Sequence, residues 1–536
     1  MRSIHRQALA LRQELSRWLG QSRLMDGPCA NGGGEDEANY ALAFFPHYLV
    51  TRDPAILERC RSLLADLGAW VRAEGVHGYE PEAEAHHGTE PYILFLPRYA
   101  GLCPEDGAAA ALIEDAAHHI GNWVDGVPAW YDYGRDCFYS YFLGTRSVGQ
   151  DPAHAHELAE HFRFIHLALA AHRILGAGPY ADWALRYGRR RAERLLAAEG
   201  PVPLLWSLEG QGLGWADLAS RQLRSMAASS HHVEGDPLAG IENLLASGAV
   251  QALGDLYALS GDAVFQAAAH RLVEPLVPEL LDPFADPAAV ALAHYRLAFG
   301  DTSLDGDMAA VLNDAPPPST REWALVLPEA RRRREPGVGK RNDMLYWGEW
   351  ADDGSARPLR EPSTAALALG YELTGDPAWA ERALGQAARK LAMARRVLRG
   401  GREHADMGGA ICSVAAGHGR NWGAGAVTGC YGPLLMGTRD AFGMVAPALE
   451  FVDGDLPAPL PEGTLSLVRR PGTRRLEITL YNDGDEPVEV AWRLAAQRHG
   501  APVSPDTPGP PVLTCLGPRQ TTTYAVDERG EVEDHG

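Results

Sequence analysis

The sequence lacks what several functional classes require. No run reaches the roughly 20 consecutive apolar residues that cross a bilayer, so no membrane role is expected. The first residues, MRSIHRQALALRQELSRWLGQ, form an amphipathic pattern with charges throughout. They have no unbroken apolar core of the secretory kind, and a cytoplasmic location is the default expectation. The seven cysteines are scattered without a CxxC pair, which argues against a disulfide framework and against a Cys-rich zinc site. Positive charge is scarce: 49 Lys and Arg face 70 Asp and Glu, for a formal net charge of −21. A nucleic-acid partner would favour a basic face, so none is expected. No P-loop and no GxGxxG after a strand is present, nor HExxH or a three-histidine spacing. No cofactor and no metal are therefore expected.

What is present is a repeated phrase. HYLVTRDPAILERC (47–60), LYALSGDAVFQAAA (256–269) and YELTGDPAWAERAL (371–384) each place a Tyr late in an apolar helix. A Thr/Ser-x-Asp turn and a new amphipathic helix follow. Weaker copies occupy 97–116, 172–188, 294–312 and 435–449, giving turns near 53, 103, 178, 262, 301, 376 and 438. Such an array of helical hairpins closes into a ring or extends as a solenoid. Its tight turns are short and its opposite connections long and uneven, which favours a closed (α/α)6-type toroid over residues 1–452. The segment 453–463, DGDLPAPLPEG, reads as a linker. Alternating stretches over 464–528 read as a small β-sandwich, and 529–536 as a disordered tail.

In a hairpin array the long connections gather at one end, where loops on a rigid scaffold carry binding and catalysis. Those connections hold NGGGEDE (31–37), HHGTEP (86–91), WYDYGRD (130–136), HHVEGDP (231–237), LYWGEWADDG (345–354), GREHADMGG (401–409) and HGRNWG (418–423). A structural reading stands beside each. The acids of NGGGEDE oppose a helix dipole, Asp236 caps a helix starting at Pro237, and the tryptophans pack on the core. The functional reading rests on density. His231, His232, Glu234 and Asp236 are more titratable groups than a cap requires, and His87 and Glu90 repeat the form. Trp347 and Trp350 flank Glu349, a setting that stacks sugar rings and raises a carboxyl pKa toward that of a general acid. Trp130, Asp132, Tyr133 and Arg135 make a similar group, as do His404 and Asp406. Arg420, Asn421 and Trp422 are placed at the mouth, with Tyr431 further inside.

With these features the chain resembles the (α/α)-toroid carbohydrate-active enzymes, glycoside hydrolases and polysaccharide lyases with a ring of helical hairpins and often a β-sandwich. The resemblance is architectural, spans essentially the whole chain, and carries no catalytic residue over by alignment. It implies a carbohydrate substrate and two mechanisms. In a hydrolase, one carboxyl protonates the leaving oxygen and another activates water or attacks the sugar; the candidates are Glu349, Glu234, Asp236, Glu90, Asp132 and Asp406. In a lyase, Arg135, Arg420, Asn421 or a histidine neutralises a uronate, while His231, His232, Tyr133 or Tyr431 removes a proton. The hydrolase, acting on oligosaccharides or small glycosides that include uronic-acid sugars, is the favoured expectation. A non-catalytic helical scaffold is the reading from another class. The C-terminal module has three available roles: bracing the helices, forming a homodimer, or shaping the cleft.

Overall fold

A computed structural model describes residues 1–22, 42–81, 95–121, 125–149, 151–176, 178–227, 241–283, 285–326, 346–395, 427–496 and 507–534. The helices are α1 (Arg2–Ser22), α2 (Phe44–Thr51), α3 (Pro54–Ala73), α4 (Leu96–Leu102), α5 (Gly107–His118), α6 (Phe162–Leu175), α7 (Tyr180–Ala197), α8 (Arg221–Ala227), α9 (Glu242–Ala246), α10 (Ala249–Ser260), α11 (Ala263–Val273), α12 (Asp286–Phe299), α13 (Asp305–Asn313), α14 (Thr364–Thr374), α15 (Pro377–Arg395) and α16 (Tyr431–Met436). Among the described residues, none is long and apolar enough to cross a membrane.

The repeated phrase folds the same way in its three strong copies. The Thr51, Ser260 and Thr374 hydroxyls donate to the carbonyl four residues back and accept from the N–H of Asp53, Asp262 and Asp376. Each Asp then accepts from the second residue of the next helix, at 2.9–3.1 Å. This satisfies helix-start donors that would otherwise be orphaned. The residue between hydroxyl and carboxylate is left-handed: Arg52, Gly261 and Gly375 have φ of 52°, 66° and 71°. Helix–turn–helix units also form at α4–α5, α6–α7 and α12–α13. The copy at 435–449 does not. Behind α16 the chain makes a two-stranded ribbon, β9 (Arg439–Ala441) with β10 (Met444–Ala446), turned by Phe442 and Gly443, both at positive φ.

The first helix of each hairpin is the more buried one: Thr364–Tyr371 of α14 are all buried, as are seven of the 12 residues of α10 and ten of the 14 of α12. Their partners α7, α11 and α15 bury one stripe, the pattern of a surface helix. Along the chain α4, α6, α10, α12 and α14 pack in succession, α16 packs on α2, and α1 packs on both α15 and α2. The N-terminal helix therefore joins the last hairpin to the first. Gly254 on α10 permits close approach to α12, since a Cβ there would stand 2.9 Å from Ala298 and 3.0 Å from His294.

The C-terminal region holds two four-stranded antiparallel sheets. One orders β12 (Leu456–Pro457), β11 (Leu449–Asp453), β15 (Val488–Leu494) and β16 (Val512–Leu516). The other orders β13 (Thr464–Arg469), β14 (Leu476–Asn482), β17 (Thr521–Val526) and β18 (Val532–Asp534). They meet where Trp492 Nε1 donates to Thr514 Oγ1 and Thr514 meets Tyr524 Oη at 2.9 Å. Two expectations are corrected. The stretch 453–463 is docked, with Leu460 buried and its N–H on Val50 C=O at 2.9 Å. The tail includes β18, which pairs with β17. Strands also begin at Arg439, ahead of the expected boundary.

This β-region covers the end where the hairpins turn. The Arg470 N–H reaches Glu372 of α14 at 2.9 Å, and Arg296 of α12 donates to Arg470 C=O at 2.9 Å. Arg52 pairs with Glu450 of β11 at 3.2 Å.

Candidate functional site

Between the inner helices lies a cavity of about 130 Å³, room for several waters. Its apolar wall comes from α12 and α14, through Ala289, Ala293, Ala365 and Leu369. Leu42, Thr428 and Gly429 also line it; they closely follow segments 23–41 and 396–426 in sequence. Its charged lining is Arg98, Glu372, Arg439, Asp440 and Arg470, with His294 and Gln251.

Each charge has a defined setting. Arg98 on α4 donates to Asp440 Oδ2 at 3.1 Å. Arg470 donates to Gly437 C=O at 2.7 Å. Burial raises the Glu372 pKa, and the Arg470 and Arg296 guanidiniums only partly offset it. Burial, with Arg470 beside it, lowers Arg439 to about 10. Asp255 on α10 sits behind this lining; burial pushes its carboxyl up to about 7, against the Phe442 N–H and Arg439, which favour the anion. Burial and then Arg439 lower His294 to about 3, so its imidazole is neutral at ordinary pH, and Nε2 has no hydrogen-bond partner among the described residues.

Among the described residues, none of the site residues singled out from the sequence lines this cavity. Tyr431, at the start of α16 and fully buried, lies 3.3 Å from Nδ1 of His47 on α2. Burial pushes its phenol up to about 12 and lowers His47 to about 3. Neither is poised to remove a proton as a phenolate or to exist as an imidazolium.

Trp130, Asp132, Tyr133 and Arg135 share a hairpin of β1 (Tyr131–Asp132) and β2 (Cys137–Phe138) that packs on the outer helix α7 through Tyr131, Trp183 and Tyr187. Trp130 is buried, its Nε1 on Gly144 C=O at 3.1 Å. Asp132 closes the turn by accepting from Gly134 and Arg135 N–H, at 2.8 and 3.1 Å. Desolvation acts to raise its pKa, but these bonds and the Tyr139 hydroxyl outweigh it and the net shift is downward. Tyr133 donates to Ile120 C=O, and Arg135 is exposed beside Asp132.

Glu349 and Trp350 lie on β7 (Tyr346–Trp350), between β6 (Trp323–Val326) and β8 (Ala356–Pro358); Trp347 pairs there with Leu325. The expected rise in the Glu349 pKa is corrected. Burial does act upward, but the Ser319 hydroxyl and the Arg357 guanidinium, at 2.6 Å and directly cross-strand, outweigh it and the carboxyl is held below its ordinary value. Trp350 is exposed, with its ring outside the core. Glu90, His87, His231, His232, Glu234, Asp236, His404, Asp406, Arg420, Asn421 and Trp422 lie outside the described residues.

Away from the cavity, His77, Asp115 and His119 bring three metal-ligating atoms within 4.8 Å of one another. The sequence search missed this cluster, and also Arg98, Asp255, His294 and Glu372. For the last four the available signal was a lone charged or imidazole side chain inside an otherwise apolar helix.

No family model matches the sequence, and no curated protein matches it. Among solved structures, an unsaturated glucuronyl hydrolase specific for heparin is similar over 74% of this chain and 98% of its own, at 11% identity and a TM-score of 0.40. A sugar epimerase from a ruminal bacterium is similar over 62% of this chain and 87% of its own, at 12% identity and a TM-score of 0.36. At these scores the two likenesses assign neither a family nor an activity to this chain.

Proposed function

We propose that this protein is a carbohydrate-processing enzyme, a glycoside hydrolase that acts on oligosaccharides or small glycosides carrying a uronic acid. Its helical hairpins form a closed ring, and the C-terminal sheets form a sandwich that plugs the turn end. One observation carries the reading: a cavity among the inner helices is lined by three guanidiniums, Arg98, Arg439 and Arg470, against two carboxyls, Glu372 and Asp440. Guanidinium matches the planar geometry of a carboxylate, which suits a uronate.

The acid/base pair is drawn from the connections that precede the inner helices. Asp236, Glu234, Glu90 and Asp406 are the candidates this reading retains. Asp132 and Glu349 are committed to their own hairpins, and both carboxyls are held down rather than raised. Tyr431, with its raised pKa, gives no support to proton abstraction by a phenolate.

The test is turnover of a panel of aryl glycosides and uronate oligosaccharides. Reducing sugar released without new ultraviolet absorbance from an unsaturated uronate is expected. New absorbance would replace hydrolysis by β-elimination, and no turnover of any substrate would leave a binding scaffold. Asp236→Asn and Asp406→Asn are expected to lose at least about 10²-fold in rate; full activity in both would remove them as the pair.

A further inference from the structure

We propose that His77, Asp115 and His119 form a site for one divalent transition-metal ion of the zinc class. The proposal is independent of the carbohydrate reading, because the site lies on the outer surface between the turn after α3 and the end of α5.

The local fold brings all three residues together. Val76 and Tyr79 exchange backbone hydrogen bonds at 2.9 Å in both directions. Between them the chain turns through His77 and Gly78, at φ of 53° and 84°. A left-handed backbone is uncommon for a residue with a side chain, though histidine tolerates it better than most. Here it lays the His77 ring flat on the His119 ring, with centroids 3.4 Å apart and planes within 10°. Tyr79 anchors the turn from below: its ring is buried, and its hydroxyl donates to Ala116 C=O at 2.6 Å. Asp115 and His119 are one helical turn apart on α5 and its cap, the spacing that places two side chains on one face.

Both Nδ1 atoms converge on one oxygen. Asp115 Oδ1 is 2.9 Å from Nδ1 of His77 and 3.1 Å from Nδ1 of His119. With metal bonds of about 2.0–2.1 Å, ligand atoms on one tetrahedral ion stand roughly 3.3 Å apart. The two N–O separations are slightly shorter than that, and all three ligand atoms lie within 4.8 Å of one another; on metal entry the two stacked rings tilt apart to bring both nitrogen lone pairs onto one ion. His119 Nδ1 is also 2.7 Å from Asp115 C=O, so an entering ion takes the place of that hydrogen bond. Each ring then carries its proton on Nε2. All three side chains keep some contact with solvent, at 35%, 43% and 23% exposure, which leaves a path for the ion and for water as a further ligand. Two imidazoles and one carboxylate select zinc, copper or nickel over magnesium and calcium, which prefer all-oxygen shells. An ion there would tie the 76–79 turn to the end of α5.

The test uses the full chain stripped with chelator and titrated with zinc chloride by calorimetry, and with cobalt(II) by its visible spectrum. One equivalent bound at this site is expected. His77→Asn, which keeps a residue tolerant of the left-handed backbone, and Asp115→Asn should each weaken that event at least about tenfold. His118→Ala, on an exposed neighbour, should leave it intact, and magnesium chloride should give no such event. Should Asp115→Asn fold poorly, His77→Asn decides alone, since its side chain lies on a surface turn. The proposal is overturned if the wild-type chain binds no zinc, if the same event persists in His77→Asn, or if His118→Ala removes it.

Discussion

The Asp255 carboxylate accepts the backbone N–H of Phe442 at 2.8 Å, joining an inner helix to the β9–β10 turn across 187 residues. Burial makes this contact pH-sensitive. The folded carboxyl titrates near 7, whereas an unfolded Asp titrates near about 3.9. Between those values the folded protein holds a proton that the unfolded chain has released, so stability falls as pH rises through that window. Asp255→Asn keeps an acceptor and removes the titration. Its stability relative to wild type should climb from about pH 4 to pH 7, by a few kcal/mol at most, and its melting temperature with it. Parallel melting curves across that range would remove Asp255 as the source.

The capping aspartates allow a graded comparison. Asp376→Ala removes a cap bond to Ala378 N–H and should lower stability by about 1 kcal/mol. Asp262→Ala should lower it further, because Asp262 also pairs with Arg189. Neither should change turnover, since neither lines the cavity. Denaturant midpoints of the two variants give the order, and equal losses would show that the Arg189 pair contributes nothing.

These turns show why the fold was legible. Hydroxyl, left-handed residue and carboxylate interact within four positions of one another, so the pattern is written in consecutive letters. The seventh copy, Thr438-Arg439-Asp440, has the same three letters as Thr51-Arg52-Asp53, but its left-handed residue is Gly437 and not Arg439: the chain leaves α16 as a ribbon, and Asp440 pairs with Arg98. The site was less legible. The Glu349 pKa is held down by Ser319, 30 positions earlier, and by Arg357, eight residues on and across a strand pair, and loop composition carries no register. The cavity charges came from Arg98 and Glu372, single letters in apolar helices whose meaning depends on Arg470, 98 positions after Glu372.

A buried cluster between the β1–β2 hairpin and α7 gives the largest expected loss. Glu157 is fully buried and accepts from Phe138 N–H at 3.0 Å, from the Tyr187 hydroxyl at 3.2 Å and from Arg194, with Arg191 at 3.8 Å. Glu157→Gln leaves two guanidiniums without their counter-charge. A loss of about 3–5 kcal/mol is expected, the range for breaking a buried pair by removing one partner. Chemical denaturation measures it, and a loss below about 1 kcal/mol would mean that the Trp206 and Phe162 rings stacked on Arg191 carry the cation alone.

The cavity supplies the prediction that bears on substrate. Arg98 is largely buried, and its charge is shared with Asp440, which keeps more exposure at 31%. Arg98→Gln keeps a donor of reduced reach and removes the cation, so Asp440 loses its partner in the same step. A substrate carboxylate bound near Arg439 and Arg470 would then meet an unneutralised carboxylate. KM for uronate glycosides should rise about tenfold, equivalent to about 1.4 kcal/mol, with a smaller change for neutral glycosides. Asp440→Asn, which removes the carboxylate charge beside Arg98, should move KM for the uronate the other way. Steady-state kinetics on matched uronate and neutral aryl glycosides read both variants. Equal changes for the two substrates in Arg98→Gln would mean that the cavity does not read substrate charge.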